Sequence, residues 1–196
     1  MIIDNQLKNK KYFEIIGSSN LSKYDCPKCG AKASMTRHAY YKRNVISIIN
    51  AVMIYTILKI LRVKCTSCGS THAILPSDII PYKQFDYLSF MTILENYFYF
   101  DQSGYELSNK FNVSYQTIYS FINTFLIFKD STFITLRIME IIENLFSKKP
   151  SKLIRCLKDE IGFINFISHF QSINRWPYLM TKYQTVVTNG IFVGFQ

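Results

Sequence analysis

The sequence lacks an apolar run long enough to cross a bilayer. Its longest, Val45 to Leu58, is interrupted by Ser47 and Asn50 and falls short of the about 20 residues a spanning helix needs. The opening MIIDNQLKNKKYF has neither the apolar centre nor the small-residue cleavage site of a secretory signal. Five cysteines, set as two pairs and a singleton, do not form the even, dense pattern of a secreted disulfide scaffold. A cytoplasmic protein is therefore expected, without a membrane partner. There is no internal repeat, no low-complexity tract and no heptad array. No phosphate-binding Gly-rich loop, Gly-x-Ser-x-Gly elbow or His-Glu-x-x-His helix occurs, which removes the commonest catalytic frameworks and any evident small-molecule substrate.

What the sequence has is apolar mass and an uneven charge. Hydrophobic residues make up 48% and aromatics 16%, too much for a disordered chain. The net charge is +10, and residues 1–83 carry nearly all of it, with 13 Lys/Arg against 4 Asp/Glu; residues 84–196 hold 10 against 9. A basic half beside a neutral one points to a polyanion facing the N-terminal part, nucleic acid first and an anionic membrane surface second.

Two matching knuckles carry the sharpest chemistry: Cys26-Pro27-Lys28-Cys29-Gly30 and Cys65-Thr66-Ser67-Cys68-Gly69. A Cys-x-x-Cys loop brings two sulfurs together, and the following Gly takes the left-handed backbone that closes the loop. Two such loops predict one structural zinc ion held by Cys26, Cys29, Cys65 and Cys68. A thioredoxin-type redox pair needs a single Cys-x-x-Cys at a strand-to-helix junction. Lys28, Lys32 and Lys64 would offset the charge of four thiolates. His38 and His72 lie beside the knuckles as phosphate contacts or donors to the thiolates. Cys156 reads as a small buried hydrophobe, and His169 has no evident partner.

The expected fold is α+β: an N-terminal β zinc ribbon followed by an all-helical region containing a helix-turn-helix. Residues 1–25 read as a polar, Lys-rich lead-in with a short apolar patch at Tyr12, Phe13, Ile15 and Ile16, 26–82 as the ribbon, 83–130 as the helix-turn-helix domain and 131–196 as a C-terminal helical region. TRHAYYKRNVISI and YTILKILRVKC suit strands, with Asn50 and Ala51 near their turn. LPSDIIPYKQF reads as an extended linker. Helices are expected near 86–99, 104–111, 115–128, 131–146 and 151–170, with a weaker Gly-containing tail after Trp176-Pro177.

Ser103 and Glu106 spell a capping box, and Leu107 and Phe111 give that helix an apolar face. Asn112-Val113 makes the turn, Ser114 caps the next helix, and Ile118, Phe121, Ile122 and Phe125 form its buried stripe. Its other face would offer Tyr115, Gln116, Thr117, Tyr119, Ser120 and Asn123 to base edges, Gln and Asn to adenine and Thr to a thymine methyl. This helix, read as 115–128, holds no Arg or Lys, so phosphates would be met by Lys110, by Lys129 or by the strand cations Arg37, His38, Lys42, Arg43, Arg62 and Lys64, which are interleaved with aromatics.

CPKCG, HAYYKR, LRVKCTSCGSTHAILPSDIIPYKQF and TIYSFINTF together resemble a clostridial-type family related to insertion-sequence transposases, over about residues 20–130. The resemblance implies zinc-dependent binding of double-stranded DNA by an N-terminal module. Transposases add a ribonuclease-H-like domain, whereas the 66 residues after position 130 read as helical, with Glu140, Glu143, Asp159 and Glu160 their only carboxylates. The expectation is thus a DNA-binding protein that is not an enzyme. Two rival readings stand beside it. One is a zinc-ribbon adaptor whose aromatic helices (Tyr97 to Phe100; Phe163, Phe166, Phe170) form a homodimer or dock a nuclease or polymerase. The other is the DNA-binding subunit of a split transposase.

Overall fold

The chain in this computed structural model is described over residues 1–4, 6–143, 146–174 and 177–180. The Gly-containing tail expected beyond Pro177 lies outside the described residues from 181 onward. The fold is mixed α and β. Strand β1 (Ile2–Asp4) is followed by helix α1 (Tyr12–Ser18), and then by β2 (Met35–Ile49), β3 (Val52–Cys65) and β4 (Thr71–Pro76). Five helices complete it: α2 (Tyr87–Phe98), α3 (Gly104–Phe111), α4 (Tyr115–Ile138), α5 (Pro150–Asp159) and α6 (Phe163–Asn174).

β-Branched and aromatic residues make β2 and β3 one long hairpin, paired from Ile49↔Val52 down to Met35↔Cys65. Its two-residue turn is Asn50-Ala51, both at positive φ (50° and 63°), as a type I′ turn demands. The sheet order is β1-β4-β3-β2, with β1 parallel to β4 and the other pairs antiparallel.

Two apolar cores form. One gathers Leu58, Ile60, Val63 and Ile74 of the sheet with Leu7, Tyr12, Ile16 and Tyr24. Residues 1–25 therefore form part of the sheet's core and are not merely a polar lead-in. Tyr12 is fully buried, donates its hydroxyl to the Ile74 carbonyl at 2.7 Å and accepts from Leu61 N at 3.0 Å. Asp4 accepts from Lys23 Nζ at 2.7 Å and from the Tyr24 hydroxyl at 2.5 Å, tying β1 to the first knuckle.

The other core packs α2 to α6 around Phe90, Phe125, Phe128 and Phe170 and takes in Ile46 and Ile48 of β2. Ile46 N bonds the Gln84 carbonyl at 2.8 Å, Asp86 N the Ile46 carbonyl at 3.1 Å, and Ile48 N the Ser89 hydroxyl at 2.6 Å. The segment read as an extended linker is accordingly built in, with Ile79 and Ile80 fully buried.

Two helical boundaries differ from expectation. The stretches 115–128 and 131–146 begin as one helix, because Phe125, Phe128, Thr132, Phe133 and Leu136 continue the buried stripe past Asp130. That helix stops at Ile138, and Glu140 at φ 58° turns the chain away. The stretch 151–170 is instead two helices, parted at Gly162 with φ 73°.

Candidate metal centre and its surroundings

The two knuckles have the same backbone. Gly30 N donates to the Cys26 carbonyl at 2.9 Å, and Gly69 N to the Cys65 carbonyl at 2.9 Å. Cys26 N reaches the Ala31 carbonyl at 3.0 Å, and Cys65 N the Ser70 carbonyl at 2.9 Å. Both glycines sit at φ 71°, where a side chain would be strained. The second knuckle hangs from the end of β3. The first is tied to it through Ser34, whose carbonyl accepts from Thr66 N at 2.8 Å.

The four sulfurs converge, all within 4.8 Å of one another. Cys26 and Cys68 are 3.7 Å apart and Cys29 and Cys65 3.8 Å. Four thiolates about 2.3 Å from a shared ion stand about 3.8 Å apart at the corners of a tetrahedron. These spacings are too long for disulfides, whose sulfurs lie about 2.05 Å apart, and all four cysteines are free thiols.

The electrostatics suit a cation. The Ser34 hydroxyl, then the Cys68 backbone N–H, pull the Cys65 thiol down to about 6. At Cys29 the Ala31 N–H favours the thiolate but is outweighed by desolvation and the sulfurs of Cys26, Cys68 and Cys65, which push it up to about 12. Four adjacent thiols cannot ionise together without an ion to share, and a divalent ion reverses that conflict. The set is compatible with zinc, and the same donors suit other thiophilic metals. All four positions of a tetrahedron are filled by sulfur, so the arrangement suits a structural role.

His72 supports the first knuckle. Its Nε2 is 3.4 Å from Cys26 Sγ, and its Nδ1 is 3.4 Å from the Met1 amino group. An ammonium only donates, which leaves the ring proton on Nε2, directed at the sulfur. Burial, the Met1 amine and Lys28 hold the imidazole below its usual pKa. Replacing it, as His72→Ala, should speed metal loss by about 10–100-fold, measured by competition with a chromophoric chelator, because donors to ligating sulfur hold the metal. His72→Gln, which keeps an N–H, should recover part of that.

A family model described as a domain of unknown function (DUF6431) matches residues 26–110. The match runs from the first knuckle to α3 and so includes all four cysteines. No curated protein and no solved structure matches the chain.

The basic residues expected to face DNA divide into two groups. Arg37, Arg43, Arg62 and Lys110 are engaged within the fold. Arg37 bonds the Ile16 and Ser19 carbonyls at 3.3 and 2.9 Å, and Arg43 those of Ile80 and Lys83 at 2.6 and 2.7 Å. Arg62 meets the Thr71 hydroxyl at 2.8 Å, and Lys110 meets Asn96 at 2.8 Å and Gln102 at 3.3 Å. Lys42, Lys64 and His38 are exposed, His38 at the bulge between Arg37 and Ala39, and Lys28 and Lys32 are exposed at the knuckle.

At the start of α4, Ser114 caps the Thr117 N–H at 3.3 Å and pairs with the Thr117 hydroxyl at 2.9 Å. Tyr119 is half-buried against Tyr97 and Tyr115, in space that Gly104 leaves free: a Cβ there would come within 2.6 Å of its ring. Tyr115, Gln116, Ser120 and Asn123 remain exposed. Sequence reasoning missed the carbonyl partners of Arg37 and Arg43, which lie 18 or more positions away and leave no local signal.

Proposed function

We propose that this chain is a zinc-dependent DNA-binding protein, related to insertion-sequence transposases and doing no chemistry of its own. On this reading β2, β3 and the knuckles are a zinc ribbon, and α3 and α4 are a helix-turn-helix. The observation that carries it is the division of α4. Ile118, Phe121, Ile122 and Phe125 are buried, while Tyr115, Gln116, Ser120 and Asn123 face outward from a helix start capped by Ser114. The turn before it is tight, with Asn112 at φ 52° and Val113 buried beneath it. Gln116 and Asn123 are side chains that read adenine in the major groove. Lys28, Lys32, Lys42 and Lys64 supply the phosphate contacts that the start of α4 lacks, and Gln116 supplies the base contact.

The test is DNA binding by the zinc-loaded chain at several salt concentrations. Lys42→Ala should weaken all sequences alike and lower the salt slope by about 1. Gln116→Ala should cost about 1–3 kcal/mol on the preferred sequence only. Arg43→Ala is unsuitable here, since it removes the tie between β2 and residues 80–83. Undetectable binding at low salt, or equal loss on all sequences with Gln116→Ala, would sink this reading.

A further inference from the structure

Across the β2–β3 hairpin, Lys42 stands directly opposite Lys59. Opposed residues share one face of a sheet, with Cβ atoms about 4.5–5.5 Å apart, and like charges placed so repel. The other cations of the hairpin avoid this. Arg37 is opposite Val63, Arg43 opposite Leu58, Arg62 opposite Ala39 and Lys64 opposite Thr36. Only at Lys42 and Lys59 do two meet.

No carboxylate offsets the repulsion. Both lysines are exposed, and among the described residues neither forms an ion pair, not even with Glu14 of α1. Lys59 is also held in place. Its Nζ lies over two rings, 5.0 Å from the centre of Tyr40 and 5.3 Å from that of Phe13. Tyr40 is opposite Leu61, one step along the same face, and Phe13 comes from α1. The attraction of a cation to ring faces keeps this ammonium beside Lys42.

We propose that Lys42 and Lys59 together hold one phosphate group of a nucleic-acid backbone, one ammonium to each non-bridging oxygen. The proposal rests on the DNA-binding reading above and adds Lys59 to it as a backbone contact. A phosphodiester carries one negative charge and two free oxygens, and each oxygen takes a charge-assisted hydrogen bond. Placed between the two ammonium groups, it turns their repulsion into a shared attraction. The surrounding half of the chain, with 13 Lys/Arg against 4 Asp/Glu, favours a polyanion over an isolated phosphate. Asn44 follows Lys42 on the same face and is exposed, a neutral donor for the adjoining stretch of backbone.

Three variants of the full metal-loaded chain test this: Lys42→Gln, Lys59→Gln and the two together, each titrated with a short mixed-sequence duplex. Each single variant should weaken binding roughly 5-fold at low salt, and the double variant little more, because both lysines hold one phosphate. The salt slope of the double variant should fall by about 1, not about 2. Without DNA, Lys42→Gln should raise the thermal midpoint by about 1–3 °C, since it ends the repulsion. Lys152→Gln, which removes an exposed cation from α5, should leave duplex binding unchanged. Losses that add, with a slope lowered by about 2, would mean two separate phosphates and overturn the proposal. So would duplex binding untouched by Lys59→Gln, or a thermal midpoint that Lys42→Gln does not raise. Those results leave DNA binding itself standing. A parent that binds no duplex at low salt sinks the DNA-binding reading and the proposal with it, even where the same lysines bind phosphatidylserine vesicles.

Discussion

Stripping the metal with a chelator should unfold the sheet half of this protein and leave much of the helical half standing. Three of the sulfurs sit on segments 24–34 and 66–70, which contain no strand or helix, and the fourth, Cys65, ends β3, so the twin turns and the shared ion hold these segments to the sheet. Cys26 and Cys65 are nearly inaccessible, at 2% and 0%, and belong to the same apolar core as Leu58, Ile60 and Val63. Without an ion, the four thiols, within 4.8 Å of one another, would face each other at the margin of that core. Structural zinc contributes about 10–16 kcal/mol in small peptides, as much as the whole stability of a typical domain, about 5–15 kcal/mol. No other device on these residues approaches that size.

The readout is amide exchange resolved by strand. β3 and β4 should lose protection on chelation, and Cys65→Ser should reproduce the loss. α4 should keep its protection, because its core contains none of the four cysteines. Cys156→Ala is the control: that thiol is buried among the helices, away from the site, and metal binding should survive its loss. Slow exchange of β3 amides in the metal-free chain would show that the sheet does not depend on the ion.

The parts of this fold that could be read from the sequence are those written in neighbouring residues. A Cys-x-x-Cys-Gly knuckle fixes its own turn, so the four cysteines stood out. Asn50-Ala51 between two β-branched runs marked the hairpin turn, and Ser103 with Glu106 marked the start of α3, where both capping bonds form. The parts that could not be read depend on distant partners. β1 is three residues long and pairs with a strand some 72 positions later. Arg37 and Arg43 look like unpartnered cations until the carbonyls of Ser19 and Ile80 are placed beside them. The β-branched residues of YTILKILRVKC marked a strand but not which strands would lie on its two sides. Pairing is a property of the sheet.

The same distance effect makes the N-terminus the second place where a small change should be costly. A fragment beginning at Cys26, the first residue matched by the family model, should bind metal poorly and fail to form the native sheet. It would lose Leu7, Tyr12 and Ile16, each fully buried, and β1, the only strand beside β4 other than β3 among the described residues. Tyr12 is the sharpest single probe. Removing a buried aromatic ring costs about 3–5 kcal/mol. Here the cut also leaves Leu61 N and the Ile74 carbonyl buried without their partner. Tyr12→Phe isolates the hydroxyl and should cost about 1–3 kcal/mol, whereas Tyr12→Ala should remove most of the sheet's stability. Urea unfolding followed by strand circular dichroism, with metal present throughout, separates the two variants. If the Cys26 fragment bound metal like the full chain and kept its β4 amides protected, the first 25 residues would be the mere lead-in their polar composition suggests. The burial of Tyr12 between β3 and β4 argues for the opposite result.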